Sequence, residues 1–277
     1  MARALWRGAL IIGLIVALGA CSTSGALHID RSVQARSQSS RVAFIVLHYT
    51  SSNTPIALNT LSRQNVSSHY LVTDDTPTYI YQLVDENRRA WHAGASQWCG
   101  RTWLNAASIG IELVNTGQRN GRWAPYPADQ IDTLITLLHE VSARHQIKSV
   151  NVVGHSDIAA QRKIDPGPRF PWKQLAQAGI GRWYDESALA DVQRELLQTT
   201  LPDARWVQTQ LAMAGYATPN TGILDPATRN VVAAFQMHYR PERYDGWPDV
   251  ETMSILKILN NATDPAARCP GPSTDPL

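Results

Sequence analysis

Val42-Ala43-Phe44-Ile45-Val46-Leu47 is an unbroken apolar run with β-branched members, and His48-Tyr49-Thr50 follows it directly. A run of that length without alternating polar residues reads as a strand buried on both faces. Working outward, Ile109–Val114 reads as another strand, and Val150–Val153 as a third, followed by Gly154-His155. His69–Val72 and Tyr79–Val84 read as two more, separated by the polar Asp/Pro turn Thr73–Thr78. The clearest helix is Pro127–His145, where Ile131, Leu134, Ile135, Leu138 and Val141 form one stripe at helical spacing. A short amphipathic helix is expected around Leu58 and Leu61, and Ala90–Asn105 reads as a long loop rich in Trp, Gly and Ser. Strands alternating with helices predict an α/β fold, a mixed β-sheet flanked by helices.

Beyond this domain the pattern changes. Asp203, Asp225-Pro226 and Pro248-Asp249 each read as the start of a short helix, with apolar positions at Val207 and Leu211, at Val231, Val232, Phe235 and Tyr239, and at Val250, Met253, Leu256 and Leu259. These predict a small C-terminal three-helix bundle. Before the first domain, Met1–Arg7 is short and basic and Gly8–Ala20 carries no charge. Such a stretch is too short to span a bilayer and fits a signal peptide. Removing Arg3 and Arg7 with it leaves 23 basic against 23 acidic residues. A neutral chain has no electrostatic footprint for nucleic acid and no polybasic membrane patch. Three cysteines in 277 residues cannot form a disulfide scaffold, so the fold rests on its apolar core. Cys99 lies in a loop and Cys269 in a Pro-rich tail, which argues against a bridge although an oxidising compartment would allow one.

The chain lacks a Gly-x-Ser-x-Gly elbow, a P-loop and a Cys-x-x-Cys pair. Among its histidines, His48 and His155 stand apart because each follows an apolar strand, where a rigid scaffold can hold an imidazole at the rim of a sheet. Asp165, extended by the following Pro166, could add an oxygen. Two nitrogens and one oxygen suit Zn2+ with a position left open, as catalytic zinc requires. On spacing alone, a metal site and separate structural histidines both stand.

Several segments match one family pattern in order: Val46-Leu47-His48-Tyr49-Thr50, Ser67-Ser68-His69-Tyr70-Leu71-Val72, Ala90-Trp91-His92-Ala93-Gly94 with Ser96 and Trp98, Ser108-Ile109-Gly110-Ile111-Glu112-Leu113, Val153-Gly154-His155-Ser156-Asp157, and Gln161 through Trp172. Together they resemble the N-acetylmuramoyl-L-alanine amidase type 2 family, which shares its fold with the peptidoglycan recognition proteins. The resemblance implies Zn2+ bound by His48, His155 and Asp165. It implies Glu112 as general base and Lys163 as the cation facing the oxyanion. His69, Trp91, His92 and Trp98 are implied as substrate-groove candidates, and Tyr49 as a support of the site. The implied substrates are peptidoglycan and muropeptides, cut between muramic acid and L-alanine.

Leu18-Gly19-Ala20-Cys21 similarly resembles a bacterial lipobox, with Cys21 acylated and Ser22 directing the chain to the outer membrane, facing the periplasm. Gly215-Tyr216, Gly222, Asp225, Thr228 and Ala234-Phe235-Gln236 resemble a peptidoglycan-binding helical domain. The expected organisation is a signal peptide over 1–20, a tether over 21–40, the zinc amidase domain over 41–182, a connector over 183–200, the helical domain over 201–260 and a flexible tail over 261–277. A lipid-anchored monomer without a nucleic-acid partner is expected. Two other readings compete: a non-catalytic peptidoglycan-binding lipoprotein, which the full set of site residues argues against, and a zinc peptidase acting on proteins, which the lack of His-Glu-x-x-His weakens.

Overall fold

The computed structural model describes residues 27–269; the expected signal peptide, Cys21 and residues 270–277 lie outside them. The chain divides into Met1–Gln38 and Ser39–Leu277. Residues 27–38 form no helix or strand. Among the described residues no helix is long and apolar enough to cross a membrane.

In Ser39–Leu277 the strands are β1 (Phe44–Tyr49), β2 (Tyr70–Val72), β3 (Ile80–Gln82), β4 (Gln97–Trp98), β5 (Arg101–Thr102), β6 (Ser108–Leu113), β7 (Gln118–Arg119), β8 (Arg122–Trp123) and β9 (Val152–Gly154). One sheet has the order β3-β2-β6-β1-β9, with parallel pairing except for β3, an antiparallel edge strand. The segment around Tyr79–Val84 is therefore shorter than its sequence suggests, and its residues Ile80 and Tyr81 stay exposed at the edge. The expected loop after Ala90 contains the β4–β5 hairpin.

The unbroken apolar character of β1 follows from its central place. Side chains alternate across a strand. Ile45 and Leu47 pack with Ile109, Ile111 and Leu113 under helix residues Leu134 and Leu138. Phe44 and Val46 join a second cluster with Trp98, Leu104 and Phe235. Both faces are thus dry, and no position before His48 can be polar.

The helices before the C-terminal part are α1 (Thr54–Arg63), α2 (Ala128–His145), α3 (His155–Ile158) and α4 (Trp172–Gln177). The buried stripe of α2 includes Leu137, while Ile135 is only partly covered. The inward face is wider than one row of side chains. It takes in Gln130, whose buried amide donates to the carbonyls of Val72 and Val114, where the sheet's own pairing ends.

Further along are α5 (Leu189–Leu197), α6 (Ala204–Ala214), α7 (Pro226–Tyr239) and α8 (Val250–Asn261). Asp203, Asp225 and Asp249 each accept a backbone N–H from the first turn, as the sequence predicts. Such caps each contribute about 1 kcal/mol. Two expectations change here. The segment read as a connector holds α5, which packs on α8. The segment read as a flexible tail is tied down through residue 269. Ala266 and Ala267 carbonyls accept from Ser149 and Arg182, and Cys269 forms a disulfide with Cys99. The β4–β5 hairpin brings Cys99 beside Gly215, so the bridge the sequence argued against is present.

Candidate metal centre and catalytic cleft

Strand register builds the site. The parallel pairing of β1 with β6 sets His48 opposite Glu112. Pairing of β1 with β9 sets Leu47 opposite Gly154, so His155 is next in line beside His48. Residues 44, 46 and 48 share one face of β1, and 108, 110 and 112 the matching face of β6. Reactive side chains thus gather at the carboxyl ends of adjacent parallel strands, the usual place for a site in such a sheet. Asp165 arrives from the loop after α3. Its carbonyl accepts from Ser156 N–H at 2.8 Å, and its peptide bond to Pro166 is cis.

His48 Nδ1 lies 2.9 Å from His155 Nδ1, and each nitrogen lies 3.1 Å from Asp165 Oδ2. All of these residues are buried. Zinc bonds of about 2.0–2.1 Å in a tetrahedral frame set donors roughly 3.3 Å apart, close to this spacing. His155 Nε2 sits 3.2 Å from the Ala93 carbonyl, which can only accept, so Nδ1 carries the free lone pair. Two imidazole nitrogens and a carboxylate oxygen turned toward one another fit Zn2+ in chemistry as well as spacing. Burial, together with neighbouring His155, lowers the His48 pKa to about 4, so His48 is a neutral donor at pH 7. Burial alone would raise the Asp165 carboxyl, but the two imidazoles beside it hold it well below the usual carboxylate range.

These side chains line a cleft of about 380 Å³ that also takes in Tyr49, Trp91, His92, Glu112, Arg162 and Lys163. Glu112 Oε2 is buried without a hydrogen-bond partner among the described residues. Burial, and then the negative charge of Asp165, push its pKa up to about 8, with Lys163 pulling the other way. Lys163 is half-buried and makes no ion pair among the described residues.

The groove candidates separate. Trp91 is 53% exposed at the cleft, with the Arg89 guanidinium 4.1 Å from its ring centre. His92 lines the cleft but uses both ring nitrogens on protein partners, His48 and Ser108. His69 and Trp98 are corrections: both are buried and neither lines the cleft. His69 Nδ1 accepts from Gly110 N–H and its Nε2 donates to the Arg88 carbonyl, so it holds β2 to its neighbours. The Trp98 indole donates to the Val150 carbonyl and its ring meets Tyr216 edge-on, inside the core. Arg162, which sequence reading gave no role, donates to the Ala93 and Ala95 carbonyls at the cleft wall. Its position in the long segment before Asp165 was the only available signal.

Residues 38–168 match the family described as N-acetylmuramoyl-L-alanine amidase, and residues 200–256 match one described as a putative peptidoglycan binding domain. The chain belongs to the N-acetylmuramoyl-L-alanine amidase family and is an enzyme of that class. It is 40% identical to N-acetylmuramoyl-L-alanine amidase AmiD of Escherichia coli K12 over 273 residues, covering 94% of this chain and 98% of that protein. The crystal structure of AmpDh3 from Pseudomonas aeruginosa superposes with a TM-score of 0.79 at 39% identity, over 84% of this chain and 98% of the other. The Escherichia coli AmiD complex with the substrate anhydro-N-acetylmuramic acid-L-Ala-D-γ-Glu-L-Lys superposes with a TM-score of 0.77 at 42% identity, over 84% and 94%.

Proposed function

We propose that this chain is a zinc-dependent amidase that cuts the bond between N-acetylmuramic acid and L-alanine in peptidoglycan stem peptides, and that it accepts the 1,6-anhydro form. The observation that carries this reading is the register of His48 with Glu112 and His155, which brings a three-donor set and a carboxyl with an unpartnered oxygen to one cleft. Support for the anhydro form is the ligand held by the AmiD structure.

Zinc, when bound at His48, His155 and Asp165, supplies a Lewis acid for the carbonyl and acidifies water. Glu112 takes a proton from the attacking water and returns it to the departing L-Ala amine. The Lys163 ammonium, which has no ion partner among the described residues, faces charge that develops on the carbonyl oxygen. Trp91 offers an exposed ring at the entrance for the sugar or peptide.

The test is mass spectrometry of anhydro-muropeptides and wall fragments incubated with purified protein, with zinc and with a chelator. The expected result is zinc-dependent release of stem peptides with a free N-terminal L-Ala. A zinc-loaded protein that binds muropeptides and releases none would support the non-catalytic binder instead. Cleavage of peptides lacking muramic acid would support a peptidase.

Acylation at Cys21 and anchoring to the outer membrane complete this reading and rest on the lipobox-like sequence. A Cys21→Ala chain is then expected in the soluble periplasmic fraction rather than with the membranes; unchanged membrane recovery would rule out the anchor.

A further inference from the structure

One dipeptide, His92-Ala93, touches both candidate imidazole ligands. The Ala93 carbonyl meets His155 Nε2 at 3.2 Å, and His92 Nδ1 meets His48 Nε2 at 3.0 Å. The dipeptide is itself held from behind, because Asn105 Oδ1 accepts both of its backbone N–H groups, at 3.1 and 2.7 Å. His92 Nε2 continues the chain to Ser108 Oγ at 3.1 Å, and Ser108 Oγ lies 2.7 Å from the Leu104 carbonyl.

The direction of every proton in this chain is forced from its far end. A carbonyl only accepts, so the 2.7 Å contact with Leu104 requires the Ser108 hydroxyl to donate there; without the proton it would be a repulsion between lone pairs. The hydroxyl has no second proton, so His92 Nε2–H donates to Ser108 Oγ. A neutral imidazole carries one proton, so His92 Nδ1 holds a lone pair and accepts from His48 Nε2–H. That leaves the lone pair of His48 on Nδ1, the atom turned toward His155 and Asp165.

The sequence makes room for this arrangement at Gly110. A Cβ there would stand 2.4 Å from the His92 ring. Gly110 lies one residue pair back from Glu112 on the same face of β6, so the strand that carries Glu112 also provides the seat for His92.

We propose that His92 is a positioning residue rather than a substrate contact: the chain His48–His92–Ser108–Leu104 fixes the tautomer and ring plane of His48 so that Nδ1 is presented to the metal. This rests on the zinc reading above. Partners that orient a ligating histidine typically contribute 10- to 100-fold in metal affinity.

The test compares wild type with His92→Phe, His92→Asn and Gly110→Ala. Zinc affinity is read by competition with a chromophoric chelator, and the tautomers of the metal-free wild type by long-range 1H–15N spectra of its histidines. Phe keeps a ring but strands His48 Nε2–H, and is expected to weaken zinc binding roughly 10- to 100-fold. Asn places Oδ1 where Nδ1 stood and is expected to recover most of that loss. Gly110→Ala, which displaces the ring by crowding Cγ, Cδ2 and Nδ1 but leaves the imidazole in place, is expected to resemble Phe. The spectra are expected to show His48 and His92 protonated at Nε2. Zinc affinity equal to wild type in a folded His92→Phe chain overturns the proposal, as does a proton on His92 Nδ1 or no advantage of Asn over Phe. Failure of wild type itself to bind zinc would be distinct, and would overturn the metal reading and this proposal with it.

Discussion

Glu112 shows at the scale of one residue how function and stability are set against each other. A carboxylate with one oxygen buried and no donor for it costs free energy whenever it is ionised. Its pKa rises from 4.5 to about 8. The folded state therefore holds its proton more tightly than the unfolded state. This penalty is absent below about pH 4.5, grows as pH rises, and is complete above about 8. Glu112→Gln removes the ionisation and keeps the shape. In metal-free protein the variant is expected to be more stable than wild type by roughly 1–3 kcal/mol at pH 8, with the gap closing toward pH 4. Urea denaturation of chelator-treated proteins across that range measures it. The same change is expected to lower hydrolysis at least about 100-fold if Glu112 carries the proton as proposed above. A variant no more stable than wild type at pH 8 would show that the carboxyl is well solvated and not set apart for proton transfer.

Elements were more legible in the sequence than the contacts between them. β1 is evident because a strand dry on both faces admits no polar residue before its rim, β6 and β9 because apolar and β-branched residues dominate them, and α2 because one face is apolar over its length. The three C-terminal helices announce themselves through Asp203, Asp225 and Asp249, since a cap is a local hydrogen bond that needs no tertiary information. What stayed hidden is non-local. α5 buries only Leu196 fully, with Leu189 and Val192 partly covered, and most of its packing is against a single partner, α8. His145, at the end of α2, joins Arg144 and Tyr70 in binding Glu86 from the loop after β3, a pairing that no one of these segments announces. For the site, His48, His155, Asp165, Glu112 and Lys163 line one cleft. The register that aligns His48 with Glu112 is a property of strand pairing and cannot be read from either strand alone. His69 and Trp98 went astray for a related reason: an imidazole or indole in a motif looks the same in sequence whether its nitrogen faces a ligand or a backbone carbonyl.

At the scale of the whole molecule, the catalytic part and the C-terminal helices are not two separable bodies. Phe44, Val46 and Trp98 share one apolar cluster with Val207, Leu211 and Phe235. Buried Asp157, at the helix that begins with His155, accepts from Tyr216 O–H at 2.7 Å and lies 2.8 Å from His238 Nδ1. His238 also stacks on Trp172 with ring centres 3.8 Å apart. Arg182 donates to Tyr239 and to the Ala214 and Ala267 carbonyls from a buried position. A chain cut after Arg182 would expose the Phe44 and Val46 face and leave the Asp157 carboxylate without its side-chain donors. Losing either the large apolar surface or the partners of a buried charge typically destabilises by several kcal/mol. The expected result is a truncated chain that is insoluble or unfolds without a cooperative transition, even though it retains all five expected zinc and catalytic residues. The Cys99–Cys269 bridge acts differently, because it restricts the unfolded chain rather than forming the interface. A Cys99→Ala/Cys269→Ala chain is expected to keep its fold and zinc affinity while losing about 2–4 kcal/mol. Calorimetry and denaturant titration of the two variants separate these effects. A truncated chain that unfolds cooperatively near the wild-type temperature would show that the helical part is only an appendage, and that Asp157 finds adequate partners without it.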